Sequence, residues 1–147
     1  MKNVILPVDF GETTDKLLEG AIKFSKDIKA KIFIIHVAPA EVGFAIGDMG
    51  YQYFPEIEKS EIKAELMRLD ALEKKVISEG VDCEHILKKG IARDIILEYA
   101  REKKSDYIVI GSHGRSEIYD VFIGSLTKDM TKISPVPVVV IPVHNKK

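Results

Sequence analysis

Apolar and polar positions along this chain switch between two periods, and the switches mark its elements. Val4-Ile5-Leu6-Pro7-Val8 and Ile32-Phe33-Ile34-Ile35-His36-Val37 are nearly continuous apolar runs, the pattern of parallel strands covered on both faces. Between them Leu17, Leu18, Ala21, Ile22, Ser25 and Ile28 recur at helical spacing, and Thr13 or Thr14 is of the type that caps a helix start. A βαβ unit results. In residues 39–55 glycines (Gly43, Gly47, Gly50) and aromatics (Phe44, Tyr51, Tyr53, Phe54) displace both periods, so the stretch reads as a long, partly apolar loop. Such a loop suits a mobile connector with local packing, a lid over a ligand, or a surface for a partner.

A second helix is expected from the stripe Ile62, Leu66, Leu69, Leu72 and Val76, with Gly80 as its stop. Residues 81–87 alternate apolar with polar, as in an edge strand with one wetter face. Gly90 breaks the chain before Ala92, Ile95, Ile96, Tyr99 and Ala100 trace a third helical stripe toward Lys103-Lys104, whose charges suit a helix C-terminus. The apolar run Tyr107 to Ile110 follows. Leu126, Met130 and Ile133 are then spaced for a last helix, which Ser134-Pro135 ends before Val138-Val139-Val140-Ile141.

Strict strand–helix alternation predicts an α/β fold: a doubly wound, five-stranded parallel sheet with helices on both faces and right-handed crossovers. With the edge-like strand of residues 81–87 outermost, the strand order is 3-2-1-4-5, and the order reverses between the first and fourth strands. Asp9 and Gly111 then face each other across the reversal, where such sheets hold ligands.

Composition narrows the classes of partner. At 147 residues the chain suits one domain, residues 1–147, able to bury about 70% of its unfolded surface. Lys+Arg (22) nearly balance Asp+Glu (23), for a formal net charge of -1, so no positive field draws in nucleic acid or an acidic membrane. The single cysteine, Cys83, permits no internal disulfide and no structural zinc cluster, and reads as a small core side chain. The cytoplasm is the expected home, with no signal peptide at the N-terminus and no stretch long enough to span a bilayer.

The chemistry concentrates after the fourth strand. Gly111 and Gly114 lack the Cβ atoms that would hold the backbone away from a bulky anion, and they allow consecutive N–H groups to turn inward. Gly124-Ser125-Leu126-Thr127 opens the last helix, whose unpaired amides and positive dipole end would meet the same anion, with the Ser125 and Thr127 hydroxyls as added donors. Arg115 could neutralise a terminal phosphate by a forked contact. Read one at a time, these glycines only make turns and Ser125 is an N-cap; as a set at fixed offsets after a buried strand they describe a phosphate cradle. Asp9 equally suits a cap on the first turn or a contact to a sugar. His36 and His85 read as satisfied structural histidines, and no histidine spacing suggests a metal site.

The spacing Gly111-x2-Gly114-x9-Gly124-Ser125 resembles the G-2x-G-9x-G-S/T signature of the ATP-binding branch of the universal stress protein family. The likeness extends through Val4 to Asp9, Ile34 to Val37 and Pro137 to Ile141, nearly the whole chain. It implies an adenine nucleotide alpha hydrolase-like sheet with ATP as ligand. It further implies that Asp9 binds the ribose hydroxyls, that Pro7 and Val8 wall the adenine, and that the Val37 backbone reads the adenine edge. Gly111, Gly114, Gly124 and Ser125 would hold the phosphates, with His113, Arg115, Leu126 and Thr127 close by. Mg2+ or Mn2+ would travel with the phosphates, since no carboxylate cluster forms a dedicated cage.

Two features bear on how the protein works. Val138, Val139, Val140 and Ile141 would leave an exposed apolar edge in a monomer, which edge-to-edge homodimerisation would cover, as the resemblance also implies; flanking Pro137 and Pro142 and the charged tail are the alternative protection. No general base is placed to activate water unless His113 or Asp120 serves. The reading is therefore an ATP-binding, nucleotide-dependent stress-response sensor, with a slow ATPase or autophosphorylating phosphotransferase, or a nucleotide-free interaction module, as alternatives. The chain lacks G-x-G-x-x-G at its first helix and any GK[ST], which argues against dinucleotide dehydrogenases and P-loop NTPases.

Overall fold

The structure, a computed structural model, describes residues 1–112 and 124–143. The chain runs β1 (Lys2–Pro7), α1 (Thr14–Ile28), β2 (Ala30–Ala38), β3 (Phe44–Gly47), β4 (Gly50–Tyr53), α2 (Pro55–Ser78), β5 (Cys83–Lys89), α3 (Ala92–Glu102), β6 (Tyr107–Gly111), α4 (Ser125–Ile133) and β7 (Val138–Ile141). Five strands form one parallel sheet in the order β5-β2-β1-β6-β7. Counted within that sheet, this is the expected 3-2-1-4-5.

The continuous apolar runs follow from burial on both sides. Val4 and Leu6 of β1 and Ile32 and Ile34 of β2 meet Leu18 and Ala21 of α1 and Leu69 and Val76 of α2 on one face. On the other, Ile5, Phe33, Ile35 and Ile108 meet Ile96 and Tyr99 of α3 and Met130 of α4. Each fully buried side chain of this kind contributes roughly 1.5–3 kcal/mol, so β1 and β2 anchor both layers.

Several expectations need correcting. Residues 39–55 are not a plain loop: β3 and β4 pair antiparallel, from Phe44↔Tyr53 to Gly47↔Gly50. Asp48 and Met49 make the connection, and Gly50 takes the positive φ of 93° that closes a short hairpin. Phe44 stacks on Tyr51 with ring centroids 5.6 Å apart. Four-residue strands interrupted by glycine carry too little periodicity to be read in advance. Helix α2 begins at Pro55, whose fixed φ suits a first helical position, and only Leu69 and Val76 of its stripe are buried, while Leu66 is exposed.

In α1 the Thr13 and Thr14 hydroxyls make no capping bond; Thr14 Oγ1 donates instead to the Gly11 carbonyl at 2.7 Å. Strand β5 lies at the sheet edge as expected, yet Glu84 to Lys88 are all half-buried rather than alternating. In α4 Met130 is buried but Ile133 is exposed. At the opposite edge β7 pairs only with β6, and its exposure is concentrated at Val140. Ile141 is covered by α1, where a Cβ on Gly20 would lie 2.5 Å from Ile141 Cγ2.

Cys83 is buried, and burial, helped by nearby Glu73, Asp82 and Glu84, pushes its thiol up to about 12. It is an inert core side chain at neutral pH. Among the described residues no helix is long and apolar enough to cross a membrane.

Candidate functional site

The crevice opens for a reason that lies in one residue of β1. Strands β1 and β2 keep register through Pro7↔Ile35, whereas β1 and β6 pair only at Val4↔Tyr107 and Ile5↔Ile108. Backbone N–H groups along a sheet strand point alternately to its two neighbours. Val8 N–H donates to the Ile35 carbonyl of β2 at 2.9 Å, so position 7 points toward β6, and proline has no N–H to give. Pro7 therefore withholds the bond that would carry the β1–β6 ladder upward.

Above that point the strands part around a cavity of about 330 Å³. Pro7, Val8 and Asp9 line it from β1 and the following turn, Val37 from β2, Gly111 from β6, and Gly124, Ser125, Leu126 and Thr127 from the start of α4. The structure thus brings together all the candidate residues it describes. His113, Gly114 and Arg115 lie outside the described residues.

Each element holds its part by identifiable bonds. Asp9 Oδ1 accepts the Gly11 N–H at 3.0 Å, a local turn contact that fixes the carboxylate at the cavity wall. The ends of the glycine-bearing connection are pinned: Gly124 N–H donates to the Ser112 carbonyl at 2.9 Å, and Ser112 N–H donates to the Ile141 carbonyl at 2.9 Å. The Ser112 Oγ accepts the Val143 N–H at 3.2 Å. Residues 112 and 124 therefore form a closed stem.

Gly124, not Ser125, is the N-cap of α4, with an extended backbone and no side-chain cap; Ser125 is the first helical residue. The amides of a helix's first turn have no partner inside the helix, and with the dipole's positive end they suit an anion. Thr127 lines the cavity while its hydroxyl bonds within the protein. It is buried, and its Oγ1 donates to the Gly111 carbonyl at 2.6 Å, so its proton ties the end of β6 to α4.

Further residues reach the cavity that the sequence reading passed over. Thr13 comes from the N-cap of α1 and Leu17 from α1 itself, Ile35 and His36 from β2, Ala92 and Ile96 from α3, and Ile110 from β6. The Ala92–Ile96 pair had a signal: a helix returning from an edge strand across this sheet begins at its carboxyl end, so its first turn overlies the crevice. His36 had none, being embedded in an apolar run. Its Nδ1 lies 2.7 Å from the Val8 carbonyl and its Nε2 3.1 Å from Glu65 Oε2. His85 makes the parallel contact to Glu73 Oε1 at 2.6 Å, so two His–Glu pairs tie α2 to the sheet.

The doubly wound sheet gathers a carboxylate, two glycines and a helix N-terminus around a cavity at the strand-order reversal, the place where α/β proteins of this architecture hold ligands. The chain belongs to the universal stress protein family, whose family model matches residues 1–142.

It is 28% identical over 143 residues to the universal stress protein YxiE of Bacillus subtilis, covering 94% of this chain and 97% of that protein. It is 26% identical over 157 residues to universal stress protein MJ0577 of Methanocaldococcus jannaschii, covering 98% and 96%. The solved structure of MJ0577 superposes with a TM-score of 0.75 at 25% identity, covering 99% and 98%. Two other universal stress proteins share the fold: one from Archaeoglobus fulgidus in complex with dAMP, with a TM-score of 0.66 at 19% identity covering 96% and 98%, and one in complex with cAMP, at 0.68 and 22% covering 97% and 98%.

Proposed function

We propose that this protein binds an adenine nucleotide, ATP foremost, in the crevice between β1 and β6, and serves as a nucleotide-dependent regulator of the stress response. The observation that carries the reading is the meeting of Asp9, Gly111 and the first turn of α4 around one cavity. A sugar needs an acceptor for its hydroxyls, a polyphosphate needs backbone donors, and a base needs apolar walls; Asp9, the α4 amides, and Pro7, Val8 and Val37 supply these in turn. Gly114 and Arg115 complete the phosphate cradle in this reading. The dAMP and cAMP complexes of the two fold relatives accord with an adenine ligand.

A divalent cation, Mg2+ or Mn2+, would arrive on the phosphates. Among the described residues no three acid, histidine or cysteine side chains gather to hold a metal, and Asp9 is the one carboxylate among the described cavity-lining residues. The protein works in the cytoplasm as a homodimer joined through Val138, Val139, Val140 and Ile141, an edge that a second copy would cover.

Calorimetric titration with ATP tests the site. Wild-type protein binds; Asp9→Ala weakens binding about tenfold through lost sugar contacts, and Gly114→Val weakens it because a side chain there blocks backbone approach to the phosphates. Wild-type affinity in both variants, with the fold intact by circular dichroism, defeats the proposal.

A further inference from the structure

His36 is buried beside the cavity and grips both neighbours of Asp9. Its Nδ1 lies 2.7 Å from the Val8 carbonyl, and its ring packs on Phe10 with centroids 4.4 Å apart. Phe10 has a positive φ of 59°, a strained backbone region for a side-chain-bearing residue that persists only where surroundings hold it. On its other side the imidazole meets α2 through Glu65 Oε2 at 3.1 Å, while the Arg68 guanidinium of α2 lies 5.6 Å from the centre of the Phe10 ring. Strand β5 sets Leu87 beside His36 and brings no charge there.

The proton positions follow from the partners. A carbonyl oxygen only accepts, so Nδ1 must carry a proton and donate it to Val8. Nε2 faces the Glu65 carboxylate at 3.1 Å. Of the charged groups here, Glu65 of α2 meets the imidazole and Arg68 of α2 lies over the Phe10 ring.

We infer that His36 is a positioning residue for the nucleotide: by holding Val8 and Phe10 it fixes the turn that presents Asp9 to the sugar, and Glu65 braces it from α2. This rests on the nucleotide reading above. It makes docking of α2 and the set of the ribose contact one mechanical unit, in which both His36 ring nitrogens meet protein groups.

The test compares ATP with 2′,3′-dideoxy-ATP, which lacks the hydroxyls that Asp9 would bind. His36→Phe keeps the ring contact with Phe10 but loses the bond to Val8, and is expected to weaken ATP about fivefold to tenfold while leaving dideoxy-ATP unchanged. In an Asp9→Ala background the same change costs nothing further. His36→Asn, whose amide can donate to the Val8 carbonyl, restores most of the affinity. A long-range 15N–1H spectrum of the wild-type ring shows Nδ1 protonated.

The inference is overturned if His36→Phe binds ATP as the wild type does, loses affinity for both nucleotides by the same factor, or adds its full cost to that of Asp9→Ala. Should the variants not fold, the wild-type spectrum decides: an unprotonated Nδ1 overturns the grip on Val8, and a protonated one upholds it. Wild-type protein that binds neither nucleotide defeats the nucleotide reading itself.

Discussion

The two halves of the sheet are built differently. Toward β5 the strands are long and paired nearly throughout, from Lys2↔Ala30 to Pro7↔Ile35 and from Ile32↔Cys83 to Ala38↔Lys89. Toward β7 they are short, and the β1–β6 ladder stops after Ile5↔Ile108. Full pairing gives rigidity and leaves no room; abandoned pairing gives a crevice whose backbone groups are satisfied by other means. The Thr127 hydroxyl on the Gly111 carbonyl and the Gly124 amide on the Ser112 carbonyl are those means. Stability thus resides in one half, and ligand chemistry falls at the seam with the other.

Truncation in the fully paired half should hurt most. Leu6→Ala removes a side chain with 0% exposure, and a loss of about 3 kcal/mol is expected in urea denaturation. A loss below about 1 kcal/mol would mean the core relaxes around β1 and the contrast is weaker than drawn. At the seam, Thr127→Val keeps the shape but strands the Gly111 carbonyl, for an expected cost of about 1–2 kcal/mol. If its thermal stability matches wild type, water replaces the hydroxyl and Thr127 is no tie.

On the outer edge of the short half, Val140→Lys places a charge on an exposed strand position. The proposed homodimer should run as a monomer in sedimentation equilibrium, with stability of the isolated chain changed by less than about 0.5 kcal/mol. A wild-type sedimentation profile in that variant would move the interface away from β7.

The smallest effect belongs to the outer edge of the long half, where Lys31 of β2 meets Glu84 of β5 at 2.9 Å. The hydrogen bond from Lys31 holds the Glu84 carboxyl below its ordinary value, and Glu84 in turn raises Lys31. A depressed carboxyl stabilises above its unfolded pKa, about 4.5, and loses that contribution as pH falls through its lower folded value. The raised lysine stabilises below 10.5 and loses its share above that. Because the pair is partly exposed, Glu84→Gln should cost only about 0.5 kcal/mol at pH 7, and progressively less as pH falls below 4.5, by thermal denaturation.

The order of the five strands, both helical layers and the position of the reversal were legible in the sequence, because a strand buried on two faces has to be apolar at every position and its helices have to show one apolar stripe. As candidates, Gly111 and the start of α4 were legible because glycine and helix-opening residues constrain the backbone locally, and Asp9 because it ends a strand at the reversal, whereas Pro7 entered through the family resemblance. What only the tertiary structure decided concerns partners far apart in the chain. Whether the Thr127 proton goes to a ligand or to Gly111, and that His36 stands between Val8 and Glu65, depend on which groups the fold brings within 3 Å or so of one another. A hydrogen bond is specified by geometry across the sheet, and no residue type or spacing along the chain encodes that distance.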